Sequence, residues 1–228
     1  MVGWVLCCTK VFTSERLSRE RRASARLSCP SLSVSSSFLS LQVRSLTPPC
    51  VPLRRARSQG SQAWLSNEKL SVVTGSVTNQ ADVDKVFEGQ DVEGVVVALG
   101  GKTKDVGPTM LTDGTSCIIN ACKKYGVKRI AVVTSIGVGD SKDQAPFAFK
   151  ILMATVMSSI FKDKNAQEEL FAAGGPGADL DYCLVRPGGL TLEKPNGQIN
   201  IIDGEAGSIS RADVADFCLG AITQEDFP

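Results

Sequence analysis

The chain has 228 residues, 43% of them hydrophobic and 21% charged, the balance of a globular protein with one domain, or one domain and an appendage. It contains no histidine, which excludes Ser-His-Asp triads, Cys-His dyads, histidine-ligated metals and imidazole acid–base chemistry together. No apolar run reaches the roughly 18 residues of a membrane span, and the eight cysteines show no CxxC spacing, so neither a metal site nor a redox pair is expected.

The first 65 residues stand apart. They carry ten basic and two acidic groups, a net charge of +8, whereas the remainder carries 15 basic and 22 acidic groups, a net charge of −7. The segment is Ser-rich, with Ser35-Ser36-Ser37 in a row, and holds the prolines Pro48, Pro49 and Pro52. An Arg- and Ser-rich, acid-poor leader has the composition of an organelle transit peptide. Three readings of residues 1–65 compete: a targeting leader or other poorly ordered extension, an aberrant start joined to a normal domain body, and a folded first unit. A real leader sends the protein to a plastid or mitochondrion; without it the expected compartment is the cytoplasm. The basic charge lacks the aromatic interleaving of a nucleic-acid arm, and no nucleic-acid partner is expected.

From about Leu65 the pattern becomes regular. Leu70–Val77 is β-branched and bounded by Gly75, and a helical pattern follows over Asn79–Phe87 with Thr78 or Asn79 as cap. Glu93–Leu99 is a continuous apolar run that ends in Gly100-Gly101. Thr109–Tyr125 places Ile118, Ile119 and Cys122 on helical spacing, and Gly126 stops it. Lys128–Ser135 and Asp181–Arg186 are further buried strands, the second closed by Pro187-Gly188-Gly189. Pro146–Phe161 is the longest apolar stretch, too short for a bilayer, and reads as a buried or lid-like helix, with a membrane-surface or partner-binding helix as the alternative. Asp163–Ala173 continues as an amphipathic helix, and Ser210 caps a last helix over Ser210–Ile222.

Strands apolar on both faces, separated by helices, predict a doubly wound parallel α/β sheet, Rossmann-like. Ligands bind such sheets beyond the carboxyl ends of the strands. Four such ends carry small or hydroxyl residues: Gly75-Ser76-Val77, Ala98-Leu99-Gly100-Gly101, Thr134-Ser135-Ile136-Gly137 and Arg186-Pro187-Gly188-Gly189. Glycines there let a ligand approach the backbone.

The blocks KKYGVKRIAVVTSIGVGDS, KDKNAQEELF, DYCLVRPGGLT and ISRADVADF, in this order, resemble the atypical short-chain dehydrogenase/reductase family with NmrA-like NAD(P)-binding domains, over roughly Glu68 to Phe217. The resemblance implies that Ala98, Leu99, Gly100 and Gly101 lie along the adenosine and pyrophosphate side of an NADP or NAD cofactor, NADP being slightly favoured, with Gly75 and Val77 at the neighbouring strand end. It places Thr134 and the hydroxyl of Ser135 near the nicotinamide, matches Lys164 to the lysine of a YxxxKxxxE helix with Glu168 as its acid, and sets Pro187, Gly188 and Gly189 against the carboxamide. Ser135 and Lys164 are thus the implied catalytic pair, and Arg186 ties the strand end to a loop. The implied activity is hydride transfer between the dinucleotide and a small carbonyl or flavin- or quinone-like acceptor.

Two positions depart from the family pattern. Ile160 stands where the tyrosine of YxxxK belongs, so the usual proton donor is missing. Gly3 and Gly60 are the only glycines before Leu65, so no phosphate-cradling Gly-rich turn can be written there, and the first βαβ unit is missing or degenerate. Trp4–Val11 and Ser14–Leu27 could imitate its strand and helix. Otherwise Glu93–Leu99 is left with an unpaired edge. Impaired cofactor binding is the expectation, with a non-catalytic dinucleotide sensor or protein-interaction module as the alternative to an enzyme.

Overall fold

A computed structural model describes residues 4–8, 39–41, 73, 75–100, 107–202 and 204–224; for the first two segments it describes the backbone only. Strands β1 (Trp4–Cys8), β2 (Leu39–Leu41), β3 (Gly94–Ala98), β4 (Arg129–Val133) and β5 (Asp181–Val185) form one sheet in the order β2-β1-β3-β4-β5. β3, β4 and β5 run parallel; β1 adds antiparallel to the β3 edge and β2 pairs antiparallel with β1 beyond it. A separate parallel pair joins β6 (Gly189–Thr191) to β7 (Ser208–Ser210). The helices are α1 (Gln80–Phe87), α2 (Met110–Tyr125), α3 (Phe147–Ala154), α4 (Ser158–Glu169) and α5 (Arg211–Thr223).

The two-residue period of the strands sorts their side chains onto two cores. Val95, Val97, Ile130 and Val132 face α1 and α2, where Val83, Phe87, Ile118 and Ile119 complete the larger cluster together with Phe171 just beyond α4. The alternate residues Val96, Ala131 and Val185 face α5 and pack against Val214, Cys218 and Ile222. Helices therefore cover both faces, as strands without a polar face require. Each fully buried Val or Ile contributes about 1.5–3 kcal/mol, and most of that gain lies on the α1–α2 side. The protein is a Rossmann-like α/β fold, as its strand patterning predicts. Among the described residues no helix is long and apolar enough to cross a membrane.

The helix ends obey local chemistry. Asn79 Oδ1 accepts from Ala81 N (3.0 Å) and Asp82 N (3.4 Å), capping α1. Gly126 ends α2 in the left-handed region at φ 75°, its N–H bonded to Cys122 and Lys123 carbonyls, a conformation that favours glycine. Ser210 caps α5 by accepting from Asp213 N at 3.0 Å. Cys122 and Cys218 are buried and Cys117 and Cys183 half-buried, all four free thiols; burial pushes Cys122 and Cys218 up to about 12, so they serve as small apolar fillers.

Four expectations need correction. The predicted strand over 70–77 is not seen where it is described: residues 73 and 75–77 lie outside any strand, and Ser76 O accepts from Asn79 N to turn the chain into α1. The β3 edge is not unpaired, because Trp4–Cys8 pairs along its length from Ala98 to Gly94. That strand runs antiparallel, so it covers the edge without reproducing the first strand of a βαβ unit; residues 14–27 lie outside the described residues. The apolar stretch 146–161 is two helices rather than one, broken at Thr155, and α3 buries none of its residues. Phe147 is 77% and Val156 76% exposed, so the segment is not a buried helix, although Phe161 is buried and Met153 lies against Gly137.

Candidate active site at the carboxyl edge of the sheet

Parallel pairing of β3, β4 and β5 puts Ala98, Val133 and Val185 at one edge, and two hydrogen bonds extend the β4–β5 pairing beyond it. Thr134 N donates to Val185 O (2.8 Å) and Ile136 N to Pro187 O (3.0 Å). The Thr134–Gly137 and Arg186–Gly189 corners thereby meet backbone to backbone. Lys164 reaches the same place from α4, its Nζ donating to Thr134 O at 3.1 Å. Ser135, half-buried, stands between them. The predicted residues Thr134, Ser135, Lys164 and Pro187 are thus brought together by bonds that nothing in their sequence separation announces.

A buried carboxylate holds this corner rigid. Glu168 accepts from Thr134 Oγ1 (2.6 Å) and from Arg186 Nε and Nη2 (3.1 and 2.6 Å). Arg186 uses its remaining arm on Asp140, which it holds below the usual carboxylate range. Arg186 therefore joins the β5 end to the turn that follows β4. The Thr134 hydroxyl is committed to Glu168, and the half-buried Ser135 supplies the corner's other hydroxyl.

Burial pulls the Lys164 ammonium down to about 8, against the upward influence of Glu168 and Asp163. Its one hydrogen-bond acceptor among the described residues is a neutral carbonyl, whereas an ammonium carries three donors. The lysine is consequently a largely desolvated cation with donors to spare, close to its titration point at neutral pH. Asp163, its neighbour in sequence, points the other way: its carboxylate accepts from Leu111 N (2.8 Å), Thr112 N (3.0 Å) and Thr112 Oγ1 (2.6 Å). It caps the start of α2 from another helix and so fixes α4 against α2.

The other end of the edge is built differently. Val77 and Leu99 are buried at 4% and 7% exposure, and both press on Gly114 of α2, where an added Cβ would lie 2.8 Å from Val77 and 3.1 Å from Leu99. Only their backbones are available to a ligand. Gly75 is small because Asp82 sits over it, 2.6 Å from an added Cβ, with Asp82 Oδ2 accepting from Ser76 N. Among the described residues nothing lies within 4 Å of an added Cβ at Gly100. Gly101 lies outside the described residues. Gly188 is small for a protein reason, since a Cβ there would meet the Gly207 carbonyl, and Gly189 N donates to that same oxygen at 3.0 Å.

Ile160, in the expected tyrosine position, is half-buried on α4. Tyr125 stacks on Phe87 with ring centroids 5.5 Å apart, and Tyr182 packs on Phe171 at 5.2 Å. These two tyrosines sit at the end of α2 and the start of β5, at the edge opposite the corner. Sequence reasoning passed over Asp163, Asp140 and Asn165, whose Oδ1 accepts from Gly139 N at 2.9 Å. Their signal was faint: Asp163 and Asn165 are polar residues on a helix bearing charge on several faces, and Asp140 lies in the turn after β4.

A family model described as NAD(P)H-binding matches residues 50–225. The chain belongs to the NAD(P)H-binding family. It is 27% identical over 176 residues to an uncharacterised chloroplastic protein of Arabidopsis thaliana, an overlap of 72% of this chain and 59% of that protein; the chain thus spans less than two thirds of that relative. With a Saccharomyces cerevisiae relative it shares 26% identity over 183 residues, 75% of this chain and 74% of the yeast protein. Among solved structures it is similar to an anaerobillin reductase from Escherichia coli O157:H7 (TM-score 0.54, 22% identity, 74% of this chain and 76% of that one). It is also similar to a short-chain dehydrogenase/reductase from Veillonella parvula in complex with NADP (TM-score 0.52, 17% identity, 71% and 69%). At these identities the structural likeness is one of fold alone, a Rossmann architecture, and the NAD(P)H-binding assignment comes from the family match.

Proposed function

We propose that the protein is an NAD(P)H-dependent oxidoreductase of the atypical short-chain, NmrA-like type, acting on a small carbonyl or flavin- or quinone-like acceptor at the Thr134–Pro187 corner. The observation that carries this reading is the meeting of Ser135, Lys164 and Pro187, held by the Lys164–Thr134 and Ile136–Pro187 hydrogen bonds. The fit to a nicotinamide nucleotide rests on Lys164, a largely buried ammonium with donors that no described residue takes up, and on Gly100, which no described side chain crowds. Lys164 would hold the nicotinamide ribose, with the Ser135 hydroxyl beside the reacting ring, Pro187 to Gly189 would hold the carboxamide, and the Ala98–Gly100 backbone the adenosine and pyrophosphate side. When bound, the reduced nicotinamide supplies a hydride. The chain's own part is to position and to manage a proton: Lys164, titrating near 8, and the Ser135 hydroxyl replace the tyrosine that Ile160 removes.

The affinity is weakened, because residues 1–65 offer no Gly-rich turn for the pyrophosphate. NADP is favoured over NAD. Fluorescence titration tests the reading: NADPH binds more weakly than micromolar, Lys164→Ala removes both binding and turnover, and Ser135→Ala keeps binding but loses turnover. Micromolar or tighter binding overturns the weakened site, and unchanged turnover in Lys164→Ala overturns the assigned role.

Ile160 favours a second reading, a dinucleotide sensor without catalysis. NADPH binding with no oxidation of it by any carbonyl or quinone offered would decide for that reading. The basic segment 1–65 is read as an organelle-targeting leader, in keeping with the chloroplastic relative; a fusion of residues 1–65 to a fluorescent protein that stays cytosolic in plant cells would reject it.

A further inference from the structure

Between β5, the N-terminal half of α5 and the segment joining β6 to β7 lies a cavity of about 550 Å³, within the size range of small-molecule sites. Its walls are mainly apolar: Leu184, Ile199, Ile201, Ile209, Val214 and Phe217. Its polar groups are neutral amides and hydroxyls, notably Gln144, Gln198, Asn200 and Ser208. Arg186 is the one charged residue among the described residues of this lining, and its guanidinium is already engaged by Glu168 and Asp140. An anionic ligand would therefore be desolvated there without a free counter-charge.

The wall contributed by residues 198–202 is held at both sides and bare between. Asp213 accepts from Asn196 N and Gly197 N (3.3 and 3.0 Å), and Ala206 N donates to Gln144 O at 3.0 Å. Between these anchors Ile201 is 69% and Ile202 45% exposed, although both line the cavity. Isoleucines clustered on a held segment beside a cavity mark a surface suited to an apolar ligand. The cavity also includes Pro187 and Gly188, the residues assigned above to the nicotinamide end.

Resting on the nucleotide reading given above, we propose that this cavity holds the body of the substrate. The substrate class is an uncharged, largely apolar carbonyl compound such as an unsubstituted or alkylated quinone, and compounds bearing carboxylate, sulfonate or phosphate groups are excluded. The amides of Gln144, Gln198 and Asn200 serve its carbonyl oxygens.

The uncharged dye Nile red, titrated into the full chain, tests this. Saturable binding is expected, with displacement by menadione and none by 1,2-naphthoquinone-4-sulfonate at ten times the concentration. Ile201→Asp should weaken dye binding at least tenfold, while Leu192→Asp, equally apolar in origin, 89% exposed and outside the lining, should not. Absence of saturable dye binding, equal competition by the sulfonate, or unchanged affinity in Ile201→Asp would overturn the proposal. NADPH is titrated into the same proteins. Binding of NADPH without the dye fails the cavity alone, and binding of the dye without NADPH fails the nucleotide reading and with it the substrate role.

Discussion

The two ends of the sheet's carboxyl edge differ in how they are held. At the Thr134–Pro187 end a buried carboxylate, a guanidinium, a lysine and backbone bonds make one connected polar network. At the Gly75–Gly100 end the packing is apolar, with Val77 and Leu99 buried against Gly114 and no described residue crowding Gly100. A connected, satisfied network fixes positions and is costly to break in part, whereas an apolar contact supports a backbone without aiming a polar group. The nicotinamide end of the proposed site is therefore preorganised, and the adenosine end offers its backbone.

The sharpest way to break this contrast is to remove the carboxylate at its centre. Glu168→Ala leaves Arg186 and the Thr134 hydroxyl without their buried partner, and a loss of about 3 kcal/mol is expected in urea unfolding; a loss under about 1 kcal/mol would mean that the network does not hold the corner. Asp163→Ala strips two backbone donors at the start of α2, with an expected loss of about 2 kcal/mol, and Asp163→Asn should recover part of it by the same measurement.

A smaller effect concerns Lys164 as a cation. Its protonated form is lost as pH rises through about 8, so NADPH affinity should fall about tenfold between pH 7 and pH 9, the change in the charged fraction of one group titrating near 8. Lys164→Met should bind weakly with a flat profile, and a wild-type affinity independent of pH over that range would remove the ammonium from the site. The smallest effect is expected at the Gly100 end: Gly100→Ala should leave the melting temperature unchanged, since its Cβ meets no described neighbour, and should weaken NADPH by a few-fold at most. A large loss of stability there would show that the end is crowded.

Much of the fold was legible because its signals are local. Apolar runs 93–99, 128–135 and 181–186 contain β3, β4 and β5, and Asn79, Gly126 and Ser210 stand at the helix ends that their side chains or conformations favour. The described end of the strand expected over 70–77 departs from it for a related reason: at residues 75–77 small and β-branched composition does not distinguish a strand from the turn that feeds a capped helix. The apolar run 146–161 misled because hydrophobicity reports what prefers burial, not whether a partner exists to bury it, and α3 is left exposed. In the candidate site, Ser135, Lys164, Glu168 and Arg186 stood out by residue type and motif. Asp163 did not, because its task is to cap a helix that begins more than fifty residues earlier.

By itself the amino-acid order determined the parallel α/β pattern, the absence of imidazole chemistry, the missing tyrosine at Ile160 and the lack of a Gly-rich turn before Leu65. Periodicity, capping and composition act over a few residues and can be read directly. Tertiary structure alone decided which corners meet, that Gly75 and Gly188 are small to accommodate Asp82 and Gly207 while no described residue crowds Gly100, and that β1 covers the β3 edge in reverse. Those outcomes depend on atoms far apart in the chain competing for the same volume and the same hydrogen bonds, and only the folded packing ranks them.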